Sequence, residues 1–152
     1  MICRMHAFLE RFEAGQWNHV PAPSVLPPSH ALFSWLGGVR HGIAPHVTPL
    51  ADRRCLPGDM SWPVTEAYAT LQESAFAMSW VTVQELLDFD YDAVVTDLRP
   101  AYASPDRLVH YHELLGQAYL EQLAKLSRVG PGRIVFWFEL VETPDDNEEE
   151  MV

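Results

Sequence analysis

The side chains best suited to chemistry fall into four groups. His6 and Glu10 stand four residues apart near the start, and His110-Tyr111-His112-Glu113 brings two imidazoles and a carboxylate together. Asp88-Phe89-Asp90-Tyr91-Asp92 alternates three acids with two aromatics, and residues 39–60 collect Arg40, Arg53, Arg54 and Asp59 around Cys55, with His41 and His46. On a helix His6 and Glu10 could share a metal ion. Their surroundings read as a strand, which at ~3.3 Å per residue separates them by roughly 13 Å; zinc ligands must each lie ~2 Å from the ion. They are therefore expected on one sheet face without a shared ion. His110 and His112 are expected on a helix, where positions two apart do not face each other, and no HExxH spacing accompanies them.

The Asp88–Asp92 segment fails as a calcium loop, because Ala93 stands where the sixth position needs Gly and Arg99 where the twelfth needs Glu. It reads instead as a protein-binding face, with the acids raising the association rate and Phe89 or Tyr91 as a buried anchor. The competing reading makes both rings core residues and leaves the acids facing water. The three Arg of the 39–60 loop could hold a phosphate or carboxylate bidentately, with Asp59, His6 and Glu10 completing an alternative small-ligand site. Their structural role would be to bond carbonyls of a proline-rich loop. Two Arg beside Cys55 could depress a thiol pKa, yet no paired His is identifiable. The chain has no GxSxG, P-loop or GxGxxG. No catalytic residue, metal site or cofactor is assigned.

These residues must be positioned by a modest set of elements. Strands are expected near 4–12 and 15–20 around a turn at Glu13-Ala14-Gly15. Ser29 should cap a buried helix from His30 to about Gly37, ended by Gly37-Gly38. Residues 39–60 form a long irregular loop, of a length that is often functional. Ser61 is placed to cap a helix from near Pro63 to about Glu73, Ala77–Val81 suits a short strand, and Thr82-Val83-Gln84-Glu85 matches a capping box. The longest helix is expected over 105–128, where Leu108, Tyr111, Leu115, Tyr119, Leu123 and Leu126 make one stripe. After Gly130-Pro131-Gly132, the run RIVFWFELV at 133–141 is apolar on both faces and should be the central strand.

The resulting expectation is an α+β fold: a small, mainly antiparallel sheet against three to four helices, one domain over 1–141, and an acidic solvated tail over 142–152. The chain has 152 residues, with 21 Asp and Glu against 10 Lys and Arg, a net charge of −11. That balance excludes direct binding of a nucleic-acid backbone or an anionic membrane, which need clustered cations. Cys3 and Cys55 are too few for a disulfide framework. The first twelve residues lack the apolar core of a signal peptide, and no run approaches the ~20 apolar residues of a membrane span, so a soluble cytoplasmic protein is expected.

Four segments in order carry a resemblance: ALFSWLGGVR at 31–40, RCLPGDMS at 54–61, SWVTVQELL at 79–87 and RIVFWF at 133–138. The set is similar to a family of small bacteriophage and prophage proteins of uncharacterised function, over nearly the whole chain to Glu139. The family pattern has Gly at the position of Cys55 and a His-Ser pair where this chain has Phe76-Ala77. The resemblance implies a phage context and no known reaction. In general character, small, acidic and without catalytic motifs, the chain also resembles host-defence inhibitors such as anti-CRISPR proteins. The function expected is therefore non-enzymatic inhibition of a host protein or nucleoprotein complex, at a basic groove that a −11 surface complements; the alternative is an enzyme or small-ligand binder built on the Arg-rich loop.

Overall fold

The first two strands, β1 (Ile2–Glu13) and β2 (Gln16–Val20), close an antiparallel hairpin over the two residues Ala14 and Gly15, with Phe12 opposite Trp17. Both loop residues have positive φ, 55° and 77°, which matches the twist of paired strands. A computed structural model describes residues 2–22, 24–39, 47, 49–97 and 107–142. The acidic tail beyond Glu142 therefore lies outside the described residues.

Helix α1 (His30–Gly37) begins where the Ser29 hydroxyl accepts from Leu32 N at 3.1 Å and ends at Gly38, whose N–H donates to Ser34 O. Every residue from Ala31 to Gly37 is buried. Helix α2 (Trp62–Leu71) has Ser61 at the cap position and Pro63 in its first turn. Strand β3 (Phe76–Thr82) runs directly into α3 (Val83–Asp88) through a complete capping box: Glu85 N donates to the Thr82 hydroxyl and Thr82 N to the Glu85 carboxylate, both at 3.0 Å.

The last strand, β6 (Gly132–Val141), is central. The sheet order is β2-β1-β6-β3, and all its pairings are antiparallel. Alternation along β6 feeds two cores. Ile134, Phe136 and Phe138 pack with α1 and α3 on one face, while Val135 and Trp137 pack with Val64 and Tyr68 of α2 on the other. All five of these β6 side chains are fully buried, so the sheet is covered on both sides. The α+β class and the central strand are as expected.

The expected helix over 105–128 is corrected. Residues Arg107–His110 form a strand, β5, paired antiparallel with β4 (Val94–Asp97) in a separate two-stranded sheet. Leu108, expected in an apolar stripe, is 67% exposed there. The remainder divides into α4 (Tyr111–Leu115) and α5 (Gln117–Leu126) at Gly116, whose φ of 91° no helix accommodates. The described residues thus hold five helices rather than three or four. Tyr111, Leu115, Tyr119 and Leu126 are still buried, so the stripe survives the break. No helix among the described residues is long and apolar enough to cross a membrane.

Candidate functional site

On the α2 side of the sheet, His6, Phe8 and Glu10 of β1 lie across from Trp137, Val135 and Arg133 of β6. Glu10 and Arg133 are direct cross-strand partners and nearly inaccessible to water, with side chains 0% and 4% exposed. An isolated buried charge is costly, so each must be paired. Arg133 Nε donates to Glu10 Oε1 at 2.8 Å, its Nη1 to Asp59 Oδ1 at 2.9 Å and its Nη2 to Asp59 O at 3.3 Å. The second Glu10 oxygen accepts from Ser61 N at 2.6 Å. The guanidinium also lies over the Trp17 ring, 4.0 Å from its centroid. This network ties the 59–61 turn to the sheet and sets where α2 begins. Two carboxylates share one guanidinium, and Asp59 remains 68% exposed, so the network presents negative charge outward.

An open groove of about 710 Å³ lies beside this network, lined by Phe12, Trp17, His19, Asp59, Trp62 and Pro63 among others. Trp62, at the first turn of α2, is 70% exposed and Phe12 47%. Ser61 Oγ, also at the groove, is buried without a hydrogen-bond partner among the described residues. Aromatic faces beside a carboxylate suit a cationic side chain. Sequence reasoning singled out Asp59 and Glu10 but missed Phe12, Trp17, Trp62 and Arg133. A lone Arg ahead of the apolar run Ile134–Phe138 was the available signal for Arg133; nothing in the periodicity marks Trp62 as outward-facing.

The described arginines of the Arg-rich loop turn to separate partners within the chain. Arg40, with His41 and His46, lies outside the described residues. Arg53 donates to Gly37 O at 2.9 Å. Arg54 grips both Glu85 carboxylate oxygens, at 2.6 and 2.5 Å, donates to Trp80 O and covers the Trp80 ring. Both described guanidiniums serve the chain's own carbonyls and carboxylate, in keeping with the structural role set beside phosphate binding. Arg54's hydrogen bonds are the main reason the Glu85 carboxyl falls to about 2, with Thr82 N contributing, and Glu85 in turn raises the Arg54 pKa. His6 and Glu10 share a face without converging: His6 Nε2 bonds Glu139 Oε1 at 2.7 Å, while Glu10 turns to Arg133. Cys55 is exposed.

The Asp88–Asp92 segment divides by type. Asp88, Asp90 and Asp92 are exposed, whereas Phe89 and Tyr91 point inward. The Phe89 ring lies 4.9 Å from those of both Trp35 and Tyr111. Tyr91 donates to Leu86 O at 2.6 Å, and its oxygen is 2.7 Å from that of Tyr119. Burial pushes the Tyr91 phenol up to about 12 and raises Tyr119 further. Rings engaged in this cluster are not free to be outward anchors, so a partner at this rim would meet carboxylates.

The reading of His110 and His112 as divergent also fails. His110 ends a strand and caps α4, so the pair spans a strand–helix junction and the helical spacing rule does not apply to it. The two rings stack at 5.1 Å and 8°, and ligand atoms of His110, His112 and Glu113 all lie within 4.8 Å of one another. No protein-family model matches the chain, and no curated protein and no solved structure matches it either.

Proposed function

We propose that the chain is a non-enzymatic inhibitor of the phage type, acting in the host cytoplasm by binding a host protein or nucleoprotein complex at a basic, nucleic-acid-binding surface, in the manner of anti-CRISPR and other anti-defence proteins. The observation that carries this reading is Trp62, 70% exposed beside the exposed Asp59 carboxylate in an open aromatic groove. A large ring left in water is a typical interface anchor, and a neighbouring carboxylate suits Lys or Arg of a basic partner. The net charge of −11 supplies steering toward such a surface, and the rim of Asp88, Asp90 and Asp92 contributes to it. The buried charges beside the groove, Glu10 and Arg133, are paired with one another, with Asp59 and with Ser61 N, which favours binding over turnover.

The test is surface plasmon resonance against a panel of purified basic host nucleic-acid-binding proteins that includes a CRISPR effector complex, with and without its DNA. Binding is expected to compete with nucleic acid. Trp62→Ala should speed dissociation by about thirtyfold, the equivalent of a hot spot of ~2 kcal/mol. Charge reversal at Asp88, Asp90 and Asp92 should slow association. Binding to none of the panel, or binding indifferent to both changes, overturns the proposal.

A further inference from the structure

We infer that His110, His112 and Glu113 form a binding site for a borderline-soft divalent transition-metal ion, with zinc as the reference case. The ligand set is two imidazoles and one carboxylate whose donor atoms lie within 4.8 Å of one another at the junction of β5 and α4. Donors on one tetrahedral zinc sit about 3.3 Å apart, given bonds of ~2.0–2.2 Å. His110 and Glu113 are exposed and His112 half-buried, so small side-chain rotations suffice to close that gap.

The supporting contacts distinguish this cluster from a chance gathering of polar groups. His110 Nδ1 lies 2.6 Å from Asp92 O. A carbonyl only accepts, so Nδ1 carries the hydrogen and the neutral ring keeps its lone pair on Nε2. A ligating His is ordinarily held in this way, its other nitrogen donating to a carbonyl or carboxylate. One Glu113 oxygen accepts from His110 N at 3.2 Å, which orients the carboxylate and leaves its second oxygen available. The backbone beneath is tied to the 91–93 turn, through Tyr111 N to Ala93 O and His112 N to Tyr91 O, both at 3.0 Å. The Asp92 carboxylate, 3.8 Å from His112 Nε2, adds negative charge beside the site. Two imidazoles select zinc, nickel or copper over the oxygen-seeking magnesium and calcium.

Isothermal titration of the full chain with zinc chloride should show one dominant site that excess magnesium does not displace. Cobalt(II) added in its place should give visible absorption of a low-symmetry site with nitrogen ligands. His112→Ala and Glu113→Gln should each weaken zinc binding at least tenfold and abolish the cobalt spectrum while leaving the thermal melt unchanged. Cys55→Ser should leave both signals intact; the exposed thiol is another group able to attract zinc. The inference is overturned if zinc gives no saturable heat, or if binding persists in His112→Ala and disappears in Cys55→Ser.

Discussion

Cys55 holds φ at 63°, a backbone region that costs an ordinary side chain about 1–2 kcal/mol and glycine almost nothing. Cys55→Gly should stabilise the protein by about 0.5–1 kcal/mol, after the larger unfolded-state entropy of glycine is subtracted, and Cys55→Ala should not. Urea midpoints of the three proteins check this. Glu85 sets an acid limit. Its carboxyl is lowered from 4.5 to about 2, so the folded state binds its proton less readily than the unfolded one. The stability it contributes is complete above the unfolded value and is lost as pH falls from about 4.5 through about 2. Denaturant midpoints measured over that range should fall, and Glu85→Gln should lack its share of the fall. Neither effect could be read from the sequence alone: one depends on a dihedral angle, the other on Arg54 arriving from 31 residues away.

At the level of elements, Phe136 is fully buried and stacks edge-on against Phe138 within the larger core. Phe136→Ala should cost roughly 3–5 kcal/mol, measurable as a large loss of melting temperature; a shift of a degree or two would be inconsistent with a central β6. The elements legible in the sequence were those fixed by short-range chemistry. Ser29, the Thr82–Glu85 box and the continuous apolar run at 133–141 each specify their geometry within a few residues. Strands β4 and β5 were not legible, because four-residue segments acquire strand character only from each other. The stripe from Tyr111 to Leu126 reads as one helix because its apolar spacing runs through Gly116, and Tyr111, Leu115, Tyr119 and Leu126 are buried on both sides of the break there. Mistaking β5 for helix also concealed the convergence of His110 and His112. The Glu10–Arg133 pair, 123 residues apart, carries no local signal at all.

Across the whole molecule, charge and hydrophobic anchoring are separate quantities. The charge of −11 acts over roughly a Debye length, ~10 Å at 0.1 M salt, whereas Trp62 acts only in contact. Raising salt from 50 to 300 mM should slow association with a basic partner while leaving the dissociation rate nearly constant; an equal effect on both rates would place the acids inside the contact rather than around it. The position of β6 has a further consequence. It is the strand that joins the β1–β2 hairpin to β3, and it follows every other described element along the chain. On a ribosome, the hairpin and β3 would therefore emerge with no strand between them, and both cores would wait for residues 132–141. A fragment ending at Pro131 should lack protected amides in hydrogen exchange, whereas the whole chain protects β1 and β6 together. Long-range pairing of this kind slows folding, and neither core can close until β6 has joined the sheet.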